Sequence, residues 1–170
     1  MELELKHIVG YLPYGLKIEN SYGDIVQADS IEDNGFKYYR GNKRELSHIN
    51  ESKPILRPLS DLTKEIYVDG EKFVPLEVIG KTFEPNGVFE DCVFGWNTPT
   101  GGDDYQDYYY VVKNDLTFEI SCGDPGDSYS YVINEGNLHN DIIEKLYEWH
   151  FDIHGLIEKN LAIDINTLNQ

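Results

Sequence analysis

Two histidines near the C-terminus have a spacing that metal sites use. His150 and His154 are four residues apart, so a helix would present their imidazoles one turn apart, as in the His-Glu-x-x-His motif of zinc enzymes. The glutamate of that motif is absent, and a third ligand would have to come from elsewhere, such as His139 or an acidic loop. The alternative is that both imidazoles pack at the edge of the core. We therefore expect no cofactor, with a divalent cation as the alternative.

A second group of residues combines carboxylates with tyrosines. Two Gly-containing loops, 101–104 and 123–127, are rich in aspartate, and a run of tyrosines follows the first loop. Clustered carboxylates suit hard cations, but neither loop has EF-hand spacing, and both could equally be solvated loop tips. Exposed tyrosine beside carboxylate is typical of protein interfaces, although tyrosine is also a good strand former. The sequence predicts a partner-binding surface formed by Asp103, Asp104, Tyr105, Asp107, Tyr108, Tyr110, Asp124 and Asp127.

The charge of the chain is strongly negative and unevenly distributed. The net charge is −17 over 170 residues. Residues 1–81 contain 11 Lys or Arg and 14 Asp or Glu, whereas residues 82–170 contain 3 and 17. Such a field repels nucleic acids and anionic membranes and attracts basic proteins or divalent cations. The one basic cluster, in 37–44, resembles a single-strand nucleic-acid contact, but we expect it to balance carboxylates of the chain itself or to meet an acidic patch on a partner.

Motifs of known enzyme classes are missing from the sequence. It contains no G-x-S-x-G, no P-loop and no G-x-G-x-x-G, and neither Cys92 nor Cys122 belongs to a C-x-x-C pair. No apolar run approaches the length of a membrane span, and the first residues lack the pattern of a signal peptide. We therefore expect a cytoplasmic, non-enzymatic protein that does not bind nucleic acid directly or insert into a membrane.

The strongest periodicity lies in 140–159. Apolar residues recur at steps of four and three and include Trp149, which predicts one long amphipathic helix packed on a sheet. Asn140 or Asp141 would cap its start, and Asn160, which tolerates the left-handed conformation, would follow its last turn.

Strand signals dominate the rest of the chain. We expect a short helix in 3–12 that ends at Pro13, and a hairpin turn at Asn34-Gly35. Residues 41–52 are predicted to be a loop with one short strand around 46–49. Further strands are expected at 16–19, 24–31, 36–40, 73–79, 88–96, 105–113, 116–122 and 129–133, with a short closing strand or an extended tail after residue 160. Pro75 would confine the strand 73–79 to a sheet edge or break it. The prediction is a single α+β domain, 1–170, whose mainly antiparallel sheet of meanders and hairpins packs on the long C-terminal helix, with one or two short helices.

The stretch 53–63 contains Pro54 and Pro58, which favour an extended backbone. Ser60 would then cap a short helix that runs to about residue 67. We expect Arg57 to fix this segment to the rest of the fold by pairing with Asp61, or with a carboxylate of the C-terminal segment such as Asp152 or Asp164.

Three blocks of sequence resemble a known family. They are Tyr-Leu-Pro-Tyr-Gly-Leu-Lys at 11–17, Lys-Pro-Ile-Leu-Arg-Pro-Leu-Ser-Asp-Leu at 53–62, and the segment 146–166. Together they resemble small uncharacterised acidic proteins that are encoded by phages, prophages and mobile elements of anaerobic gut bacteria. The resemblance implies a phage or prophage setting and a cytoplasmic location, and it transfers no catalytic residue.

These observations favour a non-enzymatic protein-binding module, in its sharpest form an inhibitor of a host defence or nucleic-acid enzyme, that acts through an acidic, Tyr-rich surface. One alternative is a divalent-cation-dependent binding domain or enzyme that uses the acidic loops or the His150/His154 pair. Another is a virion assembly accessory protein.

Overall fold

The computed structural model describes residues 2–83, 85–90, 93–99, 105–112, 118–122, 129–133 and 140–168. Its backbone groups into two compact units. Unit 1 contains Met1–Pro58 and Ile143–Gln170, and unit 2 contains Leu59–Ile142. The mainly antiparallel sheets and few helices expected from the sequence are present. The single domain stays a prediction.

The described strands are β1 (Lys17–Glu19), β2 (Ile25–Glu32), β3 (Gly35–Arg40), β4 (Lys43–His48), β5 (Lys53–Leu56), β6 (Ile66–Val68), β7 (Glu71–Phe73), β8 (Val88–Glu90), β9 (Val93–Pro99), β10 (Tyr105–Val112), β11 (Phe118–Cys122), β12 (Tyr129–Ile133) and β13 (Ile163–Asp164). The α-helices are α1 (Pro75–Phe83) and α2 (Asn140–Glu148). In the part of the chain that the structure covers, neither helix has the length and apolar character that crossing a membrane requires.

Unit 1 is built on a six-stranded sheet with the order β13-β5-β1-β2-β3-β4. All neighbours are antiparallel except β13 and β5, so the expected meander and the expected closing strand are both confirmed. Residues 41–52, expected to be mostly loop, supply the edge strand β4. One face of the sheet packs on the N-terminal turns and the C-terminal segment through a core that includes Ile8, Tyr11, Leu16, Ile18, Phe36, Leu56 and Leu156.

The β2–β3 hairpin turns one residue earlier than predicted. Positive φ values occur at Asp33 and Asn34, and Gly35 is already paired with Glu32 in the ladder. Positive φ at both central residues is typical of a type I′ turn. Gly35 is needed for another reason, because a Cβ there would lie 2.8 Å from the carbonyl oxygen of Ser47.

The N-terminal segment is not the α-helix that 3–12 predicts. It forms two 3₁₀ helices, Leu5–His7 and Val9–Tyr14, and the second contains Pro13. Gly10 allows the ring of Tyr147 to approach so closely that a Cβ at this position would collide with it. Gly15 ends the second helix with a φ of 75°.

Unit 2 begins with the 3₁₀ turn Leu59–Asp61, and residues 66–68 then form β6 instead of continuing the predicted helix from Ser60. The turn at Asp69-Gly70 joins β6 to β7 as expected, with positive φ at both residues. The run 73–79 is broken at Pro75, the second of the two outcomes expected there: Phe73 ends β7, and the rest of the run is helical because α1 begins at Pro75. Proline suits the first helical position, where its missing N–H costs no hydrogen bond.

The second sheet of unit 2 is an antiparallel meander with the order β12-β11-β10-β9-β8. The hairpin predicted from 105–113 and 116–122 is confirmed as β10–β11, in which Val112 lies opposite Phe118. The predicted strand 88–96 is divided between β8 and β9.

The long C-terminal helix is the main correction to the sequence prediction. Helix α2 ends at Glu148, and the chain continues as turns instead of helix to residue 159. His150 has a φ of 58°, the N–H of His150 bonds the carbonyl of Tyr147, and the N–H of Phe151 bonds that of Leu146. This pattern is a Schellman motif, which ends a helix with a left-handed residue.

Candidate functional site

The predicted partner-binding residues fall partly within the described strands. Tyr105, Asp107, Tyr108 and Tyr110 all belong to β10. This strand is the centre of the five-stranded sheet, and its neighbours are β9 and β11. The other predicted members, Asp103, Asp104, Asp124 and Asp127, lie outside the described residues, as do His139 and Cys92.

The acidic charge of the chain is concentrated in unit 2. Its residues, 59–142, contain 4 Lys or Arg and 17 Asp or Glu, a net charge of −13. The residues of unit 1 contain 10 Lys or Arg and 14 Asp or Glu, a net charge of −4. The two units together account for the −17 of the whole chain. The Tyr-rich strand β10 therefore belongs to the unit that carries most of the negative charge.

The histidine pair loses its expected geometry because α2 ends before it. His150 occupies the left-handed position after the helix, where its ring stacks on Tyr11 with 6.2 Å between ring centroids. His154 lies in the following turns and contacts His7 instead. The helical spacing that suggested a metal pair is therefore absent. Among the described residues, no group of three His, Cys, Asp or Glu side chains is placed to hold a metal ion.

Two buried polar side chains hold the segment after α2. The hydroxyl of Tyr11 donates a 2.7 Å hydrogen bond to the carbonyl oxygen of Phe151. Burial strongly raises the pKa of the Tyr11 hydroxyl. The carboxylate of Asp152, which is 4% exposed, accepts hydrogen bonds from the N–H groups of Leu156 (2.8 Å) and Ile157 (2.7 Å). Together these contacts keep residues 151–157 compact without helix.

The rings of His7 and His154 pack against each other and so connect the N-terminal turn to the segment that follows α2. Their ring centroids are 5.4 Å apart, with the planes tilted by 56°. His7 is buried, and its Nδ1 accepts a hydrogen bond from the N–H of Glu4. Burial of His154, followed by the neighbouring His7, lowers the pKa of His154 below its usual value. No local pattern could indicate this pair, because 147 positions separate its two members.

The segment 53–58 is fixed to the C-terminal segment by its backbone. The N–H of Arg57 donates to the carbonyl of His150 (2.7 Å), and the carbonyl of Arg57 accepts from the N–H of Asp152 (2.8 Å). These two bonds form a parallel bridge between Arg57 and Phe151. The side-chain pairing proposed for Arg57 stays a prediction, whereas Asp61 forms an ion pair with Lys64 at 2.8 Å.

The other residues singled out for structural roles occupy defined positions. Trp149 is 5% exposed, and its ring lies 5.7 Å from the ammonium group of Lys145. Asn160 has the expected left-handed conformation, with a φ of 57°, but it sits in a turn and not at a helix end. Its side-chain oxygen accepts a hydrogen bond from Lys53. This bond links β5 to the C-terminal segment.

The basic cluster in 37–44 is engaged by carboxylates of unit 1. Arg40 lies 3.2 Å from Asp24, and Arg44 lies 3.1 Å from Asp29 and 2.9 Å from Glu32. The prediction that these cations balance carboxylates of the chain itself is confirmed for both arginines.

A cavity of about 400 Å³ opens on unit 1, and the sequence did not predict it. Its apolar lining comes from Leu3, Ile49 and Leu161, while Glu2, Glu19 and Glu51 add carboxylates. None of these three carboxylates has a hydrogen bond or ion pair in the described ranges of the chain. The residues come from four separate segments, so no local pattern could reveal the cavity.

No family model, curated protein or solved structure matches this chain.

Proposed function

We propose that this chain is a non-enzymatic protein-binding module that binds a basic protein through unit 2. The observation that carries the proposal is the charge distribution, with −13 in unit 2 against −4 in unit 1. A charge of this size in one compact unit destabilises that unit by self-repulsion, and a partner of opposite charge relieves it. Such complementarity raises association rates and selects against partners of the wrong sign.

The composition of β10 supports a surface that combines charge with aromatic contact. Tyr105, Asp107, Tyr108 and Tyr110 belong to this one strand, and acidic stretches of sequence lie on both sides of the β10–β11 hairpin. Tyrosine supplies a large contact area at a small cost in conformational entropy. In its sharpest form, the proposal is that the surface imitates the charge of a nucleic acid and inhibits a host defence or nucleic-acid enzyme. The resemblance of three sequence blocks to proteins of phages and prophages supports this setting and a cytoplasmic location.

The test compares two variants with the same net charge. One replaces the predicted carboxylates of unit 2 by amides, in D103N, D104N, D107N, D124N and D127N. The matched control removes five carboxylates of unit 1 that form no described ion pair, in E2Q, E19Q, D33N, E51Q and E158Q. Each variant has a net charge of −12, so only the position of the charge differs.

The immobilised proteins are exposed to host-cell lysate at 0.05 M and 0.3 M NaCl, and the captured proteins are identified. We expect the wild type and the unit 1 variant to retain the same basic partner at low salt and to lose it at high salt, because exposed charges are screened. The unit 2 variant should lose that partner at both concentrations. Equal loss in both variants would show that only overall charge matters and would contradict a site in unit 2.

Two further outcomes would replace the proposal. Stabilisation of the wild type, but not of the unit 2 variant, by Ca²⁺ or Mg²⁺ would identify the acidic loops as a cation site. Stable oligomers of the purified protein, combined with no captured partner, would favour an accessory role in virion assembly.

A further inference from the structure

The 3₁₀ turn Leu5–His7 fixes the position of its histidine side chain. The Nδ1 atom of His7 accepts a 3.1 Å hydrogen bond from the backbone N–H of Glu4. The N–H of His7 also bonds the carbonyl of Glu4, and the Glu4 side chain completes a capping box with His7. The ring of His7 is therefore held in place by the backbone of the turn to which it belongs.

The ring of His154 packs against that turn. Its centroid lies 5.4 Å from the centroid of His7, and its Nε2 atom is buried with no hydrogen-bond partner in the described structure. A protonated ring would place a buried N–H without an acceptor at this point, which is costly. The ring of His154 thus fits the folded structure in its neutral form.

The charges around His154 offer little compensation for a proton. Lys6 and Lys159 are both cationic, and the ammonium group of Lys159 donates to the backbone carbonyl of His154. Asp152 is the nearby carboxylate, but both of its oxygens already accept backbone N–H groups. Glu4 is paired with Lys6 at 2.9 Å. The surroundings therefore favour the neutral ring.

We propose that His7 and His154 form an acid-sensitive latch that joins the N-terminal turn Leu5–His7 to the C-terminal segment 152–162. The latch is closed while the ring of His154 is neutral, and it opens when His154 takes up a proton. Burial and the neighbouring His7 lower the pKa of His154, so the closed state binds protons less well than the open state does. Latch stability is therefore complete above the usual histidine value of 6.5 and falls as the pH drops below it.

Hydrogen exchange of the intact protein measures the latch directly. The N–H groups of Leu156 and Ile157 donate to Asp152 within the segment that the latch holds. Their protection from exchange, corrected for the intrinsic pH dependence of exchange, therefore reports the opening of the latch. Uptake of one proton by His154, whose imidazole has its ordinary pKa in the open state, raises the opening constant about threefold between pH 7 and pH 6.

Three variants separate the latch from general acid sensitivity. H154Q removes the titrating ring, and H7N keeps an acceptor near the position of Nδ1 but removes the ring that packs against His154. H48Q is the matched control, because His48 is exposed on β4. We expect the threefold rise in the wild type and in H48Q. The rise should disappear in H154Q and be reduced in H7N.

An unchanged rise in H154Q would overturn the proposal. If H154Q does not fold, an NMR titration of the wild type decides the matter. The imidazole signals of His154 should then shift together with the backbone signals of Leu5–His7 and of Leu156. Titration of the ring without those backbone shifts would also overturn it.

Discussion

Asp152 provides the most direct test of what holds the C-terminal segment. Its buried carboxylate accepts the N–H groups of Leu156 and Ile157 at 2.8 and 2.7 Å. Hydrogen bonds to a charged group contribute roughly 1.5–3 kcal/mol each. D152A removes both acceptors and leaves two donors without partners, so the free energy of unfolding should fall by about 3–5 kcal/mol. That is a large share of the roughly 5–15 kcal/mol by which domains are stable.

The isosteric variant D152N refines this test. An amide retains one oxygen as an acceptor but turns its NH₂ group toward the second N–H, so we expect a loss of about 2–4 kcal/mol despite the unchanged size of the side chain. D164N is the matched control, because the exposed carboxylate of Asp164 caps a turn by a single 2.9 Å bond from the N–H of Asn166. Loss of such a cap costs about 0.5–2 kcal/mol. Because the amide of D164N keeps an acceptor, we expect its free energy of unfolding to fall by an amount near the lower end of this range.

Urea denaturation at neutral pH measures all three variants, with the midpoint compared at an unchanged m value. The fluorescence of Trp149, measured in a W96F background because the chain has a second tryptophan in β9, can be compared with circular dichroism. The comparison would show whether the C-terminal segment and the sheets unfold together. If D152N changed the free energy of unfolding by no more than about 0.5 kcal/mol, as an uninvolved surface substitution does, the assignment of Asp152 as the organiser of this segment would be refuted.

Two further substitutions test the packing of unit 1. Y11F removes the hydroxyl that donates to the buried carbonyl of Phe151 and should cost about 1–3 kcal/mol in urea denaturation; an unaltered midpoint would mean that another donor reaches this carbonyl. G35A should lower the melting temperature by several degrees, because its Cβ would meet the carbonyl oxygen of Ser47, and overpacking of this kind costs about 1–3 kcal/mol. Gly41, whose Cβ would meet nothing within 4 Å, is the control, and G41A should show only the strain of its positive φ.

Local patterns in the sequence correctly indicated several elements. The alternation of apolar residues and the turn residues between them predicted the meander of unit 1, the β10–β11 hairpin and the turn at Asp69-Gly70. These features depend on neighbours in the chain, so the information is local. The same reasoning placed the Asn34-Gly35 turn one residue too late. Gly35 looked like a turn residue, but its small size serves the close approach of the neighbouring strand.

The end of α2 shows why periodicity alone was insufficient. Leu156 belongs to the predicted apolar stripe, whereas Phe151 would lie on the opposite face of a continuous helix. Both are nevertheless fully buried, and both reach the core from turns. An apolar pattern indicates which residues face the interior but not the backbone conformation that buries them. A compact turn held by Asp152 can bury these side chains as well as a helix can. The left-handed His150 at the helix end gave no clear local signal, because most residues with positive φ are glycine or asparagine.

The sequence by itself determined the class of fold, the excess of negative charge and the absence of familiar catalytic motifs, because composition and short-range periodicity are properties of the chain. Only the tertiary structure decided which distant residues meet. It brought His7 to His154 and Tyr11 to Phe151, and it assembled the cavity from four segments. Contacts of this kind depend on how the elements pack, and that information is spread over the whole chain and does not lie in any one stretch of it.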